Sequence, residues 1–132
     1  MNNLASAMPF ANVLGIDASD ATPERVNATL TVTEELCTVG NAVHGGALMA
    51  FADAVGAIGA YLNLPDGATG TTTIESKSNF VGRAVAGDNL RALATPLSVG
   101  RRLSVWQTRI TTDDETDGEK LIAIVTQTQL VL

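Results

Sequence analysis

Residues 45–62, GGALMAFADAVGAIGAYL, form a long run of small and apolar residues that contains a single acid. The turn-forming sequence NLPDG at 63–67 follows the run and predicts the end of one long helix. Eighteen residues rise roughly 27 Å, just enough to cross a bilayer. A membrane span is disfavoured, because Asp53 would lie at its middle at a cost of about 2.5–3.5 kcal/mol. We predict a helix wrapped by a curved sheet, with a second subunit covering the rest.

The segments around this helix have the alternation of strands. One strand is predicted before the helix at 25–33, and four after it at 69–81, 89–97, 101–112 and 120–131. The remaining segments are a short helix or two helical turns at 3–14, broken near Pro9, a loop at 34–43, and a solvated hairpin tip at 113–119. A run of strands with one apolar helix predicts an α+β fold with an antiparallel sheet. The length of 132 residues predicts a single domain, 1–132.

The composition excludes several classes of function. Hydrophobic residues make up 45% of the chain and charged residues 17%, the balance of a packed globular protein. The net charge of -6 argues against non-specific nucleic-acid binding, although a local cationic patch could still hold one small phosphate-bearing ligand.

The single cysteine and the single histidine limit the chemistry further. With Cys37 alone, no internal disulfide can form, and we expect a reducing, cytoplasmic location. Cys37 and His44 together supply too few ligands for a Cys/His zinc site within one chain, so no metal is predicted. The first basic residue is Arg25, so the N-terminal stretch lacks the positive region of a signal peptide.

Asp53 is the first candidate functional residue, because it is the only charged residue between Glu35 and Asp66. A buried carboxylate must be paired, hydrogen-bonded or protonated, and the helix carries no Lys or Arg. Two interpretations stay open. Asp53 lies on an exposed strip of the helix or caps a local kink, or it is a catalytic carboxylate tuned by apolar surroundings.

His44, Gly45 and Gly46 open the same helix. Free N–H groups at a helix N-terminus can stabilise an oxyanion during acyl transfer, and glycines let a carbonyl approach closely. The alternatives are a tight turn that needs positive φ at the glycines, and a capping or loop-anchoring role for His44.

The spacing between these two features predicts a shared site. Nine residues separate His44 from Asp53, which is about 13.5 Å along a helix. One chain therefore cannot easily bring both to one carbonyl, whereas two antiparallel helices could. We predict a composite site at a two-fold interface.

The chain resembles the hotdog-fold acyl-CoA thioesterases, most closely the phenylacetate-degradation (PaaI-like) type near the 4-hydroxybenzoyl-CoA thioesterase group. The resemblance extends from about residue 25 to 130. It is carried by VHGGALMAFADA at 43–54, TTTIESKSNFVGRAVAGD at 71–88 and GRRL at 100–103. It implies a strongly curved antiparallel sheet around the helix, and a homodimer joined edge to edge that is often doubled to a tetramer.

The resemblance also implies roles for individual residues. Asp53 would be the nucleophile or the general base that activates water. The N–H of Gly45 or Gly46 would polarise the thioester carbonyl, and His44 would help to position the substrate or the helix end. Thr73 falls where family members place a Ser or Thr that orients the water or the carboxylate.

Several positions around this motif differ from the family or leave a choice. Thr72 is a register-shifted alternative to Thr73. Many relatives have Asn or Gln where this chain has Thr38, so either Asn41 replaces that amide through a different loop path or the amide contact is missing. Ala57 stands where one group has a hydroxyl.

Coenzyme A, or a carrier-protein pantetheine arm, would be part of the substrate rather than a cofactor. Candidates for its phosphates are the cations Lys77, Arg83, Arg101 and Arg102. The resemblance therefore favours an acyl-CoA thioesterase, with aroyl-CoA among its substrates. A non-catalytic acyl-CoA binding or sensing module on the same fold is the alternative, and a hydratase is a weaker third.

Overall fold

The computed structural model describes residues 2–114, 116 and 118–132, with the side chain of Asp114 excepted. Part of the predicted hairpin tip at 113–119 thus lies outside the described residues. In chain order the helices and strands are α1 (Pro9–Leu14), β1 (Asp17–Thr22), β2 (Arg25–Thr31), α2 (Gly45–Leu62), β3 (Thr71–Phe80), β4 (Asn89–Val99), β5 (Leu103–Asp114) and β6 (Gly118–Val131). Short 3-10 turns lie at Leu4–Ala7, Glu34–Leu36 and Val39–Asn41.

All six strands form one antiparallel sheet in the order β1-β2-β4-β5-β6-β3. The sequence order differs from the spatial order, because β3 follows the long helix and then pairs with the last strand. Helix α2 packs against every strand of the sheet. The predicted α+β class is confirmed, with one long helix against an antiparallel sheet.

Two glycines on the sheet side of α2 let the helix approach the strands closely. A Cβ at Gly59 would lie 2.5 Å from the Trp106 ring, and a Cβ at Gly56 would collide with the Gln127 amide. Trp106 and Gln127 are both completely buried. Helix α2 is long and apolar enough to cross a membrane, but half of it is buried inside the fold, as in a core helix of a soluble protein.

Strand β1 was not predicted from the sequence. Its six residues, DASDAT, are mostly polar, because β1 is an edge strand and buries little besides Ala18. An exposed ion pair between Arg25 and Asp20, 3.2 Å long, joins β1 to β2. The five predicted strands are therefore six. The predicted loop at 34–43 holds two 3-10 turns, and the predicted break near Pro9 is where α1 begins.

Candidate active site

Asp53 lies half-buried in the middle of α2 and faces the edge strand β3. The hydroxyl of Thr73 donates a hydrogen bond of 2.6 Å to its Oδ1 atom. Thr72 is exposed, and its side chain makes no hydrogen bond within the described residues. Of the two candidate threonines, the structure therefore brings Thr73 to the carboxylate.

Two glutamines of β6 complete the surroundings of Asp53, and sequence reasoning missed both. The Gln129 amide nitrogen donates to the Thr73 oxygen over 2.6 Å. The Gln127 amide nitrogen lies 3.4 Å from the Asp53 main-chain oxygen and 3.5 Å from Oδ1, at the outer limit of a hydrogen bond. The signal was present in the alternation of β6, where both glutamines share a face with the apolar Val125.

The two oxygens of the Asp53 carboxylate have different surroundings. Thr73 and Gln127 both approach Oδ1. No described residue bonds to Oδ2, and Oδ2 is not among the fully buried polar atoms without a partner, so it is accessible to solvent at least in part. One oxygen is thus held by the protein, while the other is free to act on a bound molecule.

The N-terminus of α2 is capped by its own histidine. The exposed His44 accepts a hydrogen bond of 2.8 Å from the Gly46 N–H through Nδ1. This is the helix-capping role that the sequence left open for His44. Neither Gly45 nor Gly46 has a positive φ, so the tight-turn interpretation of these glycines is wrong.

The capping arrangement distinguishes the two glycine amides. The Gly46 N–H is already bonded to His44, whereas the Gly45 N–H has no hydrogen-bond partner in the part of the chain that the structure describes. Gly45 lies beneath the ring of Phe80, which is 50% exposed. Gly45 is therefore the free donor at this helix end.

The loop before the helix holds the other predicted contacts. Thr38 and Asn41 are exposed, and neither side chain makes a hydrogen bond within the described residues. Asn41 has a φ of 61°. Arg83 donates from Nη2 to the Gly40 oxygen over 2.7 Å and so anchors this loop.

The other candidate phosphate ligands lie away from that loop. Arg101 and Arg102 are exposed in the turn between β4 and β5, beside an open depression of about 620 Å³. Lys77 is exposed on β3.

Two apolar grooves flank the two ends of the site. A groove of about 650 Å³ adjoins His44 and Gly46 and is also lined by Phe10, Val13, Leu36 and Cys37. A second groove of about 490 Å³ runs past Ala57 and Thr71, one helical turn beyond Asp53, and is also lined by Met8, Ile58, Tyr61 and Gly70. Within the described residues, no three His, Cys, Asp or Glu side chains cluster as metal ligands would.

A comparison with protein families identifies the relatives of this chain. The model described as the thioesterase superfamily matches residues 40–119, which include both glycines, Asp53 and Thr73. The chain belongs to the thioesterase superfamily. The predicted class of enzyme, a thioester hydrolase, is thereby confirmed.

Solved structures and a curated relative agree with this membership. The thioesterase HI1161 of Haemophilus influenzae aligns with a TM-score of 0.85 and 27% identity over 98% of this chain and 87% of its own. The E. coli PaaI protein from the phenylacetic acid degradation operon shares the fold, with a TM-score of 0.82 and 23% identity over 97% of this chain and 90% of its own. The 1,4-dihydroxy-2-naphthoyl-CoA thioesterase 2 of Arabidopsis thaliana is 29% identical over 74% of this chain and 61% of its own length. The predicted PaaI-like hotdog fold of this thioesterase-superfamily member is confirmed.

Proposed function

We propose that this protein hydrolyses acyl-CoA thioesters, aroyl-CoA among them, to the free acid and CoA. The observation that carries the proposal is the Asp53 carboxylate, whose Oδ1 is held by Thr73 while Oδ2 has no partner among the described residues and is not fully buried. A carboxylate with one fixed and one free oxygen is suited to attack a carbonyl or to deprotonate a water molecule. The chemistry needs no cofactor beyond the CoA that the substrate carries.

Two mechanisms use the free oxygen. In the first, Oδ2 attacks the thioester carbon, the C–S bond breaks, and the resulting anhydride between Asp53 and the acyl group is hydrolysed by water. In the second, Oδ2 takes a proton from water as the water oxygen attacks the same carbon. Both pass through a tetrahedral oxyanion and release CoA as a thiolate, which takes up a proton.

The oxyanion needs a hydrogen-bond donor, and the Gly45 N–H is the free one at the start of α2. Within one chain, Gly45 lies eight residues from Asp53, which is about 12 Å along the helix. We therefore propose a homodimer in which two antiparallel copies of α2 combine Gly45 of one protomer with Asp53 of the other. Strand β3 supports such an assembly, because it lies at an edge of the sheet. Ile74 and Phe80 on this strand, and Val81 directly after it, are exposed apolar side chains. Such dimers could pair further into a tetramer.

The substrate would meet the protein at both ends of this site. Arg101 and Arg102, which make no ion pair within the described residues, are the proposed partners for the CoA phosphates. The Arg83 guanidinium is already engaged with its loop, and so is a weaker candidate. The relative from Arabidopsis acts, by its name, on an aroyl-CoA, which supports including aroyl substrates. The lone cysteine supports a cytoplasmic setting.

The test is CoA thiol release, followed with a thiol-reactive chromophore over a panel of aliphatic and aromatic acyl-CoAs. Asp53→Asn should abolish release while the fold stays intact, since the change keeps the size of the side chain and replaces one carboxylate oxygen with an uncharged NH2 group. The matched control is Asp66→Asn, because Asp66 is an exposed carboxylate just after the same helix. Wild-type release from Asp53→Asn would refute the catalytic role, and saturable binding without any release would favour a binding module.

A mixed dimer tests the composite site separately. Asp53→Asn and Gly45→Pro chains, co-expressed with different tags and purified through both tags, should have one intact site and about half the wild-type activity. Inactive mixed dimers would show that both groups must come from one chain.

A further inference from the structure

A chain of hydrogen bonds runs from the edge strand through β6 to Asp53. The Thr71 hydroxyl donates to the Gln129 side-chain oxygen over 3.0 Å, and also lies 3.1 Å from the Leu130 main-chain oxygen. The Gln129 nitrogen donates to Thr73, and Thr73 donates to Asp53 Oδ1. Gln129 is completely buried, and its side chain bonds to Thr71 and Thr73 and not to Asp53 itself.

The short distances fix the direction of each proton in this chain. A hydroxyl has one hydrogen, and a Thr73 oxygen that already accepts from Gln129 can turn that hydrogen only towards another acceptor, which is Asp53. If the Gln129 amide were reversed, its oxygen would lie 2.6 Å from the Thr73 oxygen. No hydrogen would lie between these two oxygens, because the Thr73 hydrogen points to the Asp53 carboxylate. That arrangement is repulsive, so the donor end of Gln129 must face Thr73.

We propose that Gln129 is a positioning residue, which locks the Thr73 hydroxyl onto Asp53 Oδ1 and so presents Oδ2 to the substrate. The inference rests on the proposed function, since it assumes that Asp53 takes part in turnover. Gln129 touches neither the substrate nor the reacting atoms, and it acts only through Thr73. Without it, the Thr73 hydroxyl is free to rotate, and the carboxylate is free to turn either oxygen towards the substrate.

The test is a double-mutant cycle in kcat with Gln129→Met and Thr73→Val. Methionine keeps the length of the side chain and removes its donor, and valine keeps the shape of threonine without its hydroxyl. We expect Gln129→Met to lower kcat about 10-fold with KM nearly unchanged, because an interaction away from the substrate affects the chemical step. In the Thr73→Val background, Gln129→Met should add no further loss.

The matched control is Gln107→Met, since Gln107 lies on the neighbouring strand β5 with no side-chain hydrogen bond in the described part of the chain. Its kcat should equal that of the wild type. Additive losses in the cycle, or a kcat for Gln129→Met equal to that of the control, would overturn the proposal.

Two further measurements test the role of Gln129. If Gln129→Met does not fold, Thr71→Val at the sheet edge removes the donor that orients Gln129, and should also lower kcat without affecting a Thr73→Val protein. A crystal structure of Gln129→Met or Thr71→Val should show the Thr73 hydroxyl oxygen more than about 3.5 Å from Asp53 Oδ1. An unchanged distance between these two oxygens would contradict the inference. If the Asp53→Asn protein releases CoA at the wild-type rate, the proposed function fails. If Asp53→Asn abolishes CoA release but Gln129→Met leaves kcat unchanged, only this inference fails.

Discussion

Replacing Gly45 with proline removes one backbone N–H donor and leaves the helix otherwise intact. Gly45 is the first residue of α2, a position where proline is favoured because its nitrogen needs no intrahelical acceptor. His44, with φ −72° and ψ 136°, already has the extended conformation that proline requires of its predecessor. The bond from the Gly46 N–H to His44 is not involved in the change.

The loss expected from Gly45→Pro is that of one oxyanion donor, about 100-fold in kcat or more. The control Gly45→Ala keeps the N–H and adds a methyl group 3.2 Å from a ring carbon of Phe80. Because Phe80 is half-exposed, its ring can move aside, and we expect a change of no more than about threefold, or ~0.65 kcal/mol. CoA release under saturating substrate measures both, with melting temperature and oligomer mass as checks on the fold. Wild-type kcat in a folded Gly45→Pro protein would refute the proposed donor, and equal losses in both variants would indicate crowding of the substrate.

Three further substitutions test the packing and the surface. Gly59→Ala should lower the free energy of unfolding by about 1–2 kcal/mol, because the added Cβ would lie 2.5 Å from the Trp106 ring. This loss outweighs the ~1 kcal/mol by which alanine favours a helix over glycine. Urea unfolding measures the loss, and adding Trp106→Phe to the Gly59→Ala protein should recover part of it. Gly56→Ala displaces the Gln127 amide beside the carboxylate, so kcat should fall as well as stability, whereas Gly59→Ala should spare kcat. The side-chain hydrogen bond from Arg25 lowers the pKa of Asp20 below 3.8. The stabilisation that this ion pair contributes is therefore complete above pH 3.8 and is lost as the pH falls through the lower folded pKa. The urea midpoints of wild type and Asp20→Asn should differ at neutral pH and converge as the pH falls below the lowered folded pKa of Asp20.

The long helix was predictable because its signals are local. The apolar run and the NLPDG stop mark the bounds of α2 at Gly45 and Leu62, as observed. Strand β1 has no such signal, since an edge strand that buries mainly Ala18 needs no apolar alternation.

The threonine and glutamine positions around Asp53 depended on register, which the sequence does not contain. An irregularity between Thr73 and Glu75 shifts the pairing of β3 with β6 and sets Thr73 opposite Gln129. A polar side chain in an alternating strand is normally expected on the solvent face. The burial of Gln127 and Gln129 arises because β6 lies between β5 and β3 beneath the helix.

The buried glutamines and the glycines of α2 have one physical explanation. A half-buried carboxylate in an apolar helix is costly unless hydrogen bonds replace the water that it loses. No cation lies on the helix, and the donors come instead from Thr73 and, more weakly, from Gln127. Gly56 leaves the room that the Gln127 amide occupies against the helix. This packing nevertheless leaves the Gln127 oxygen buried without a partner, and hence costs stability. A purely structural core would gain by replacing Gln127 with an apolar residue, so its presence beside Asp53 is better explained by the requirements of the carboxylate than by those of the fold.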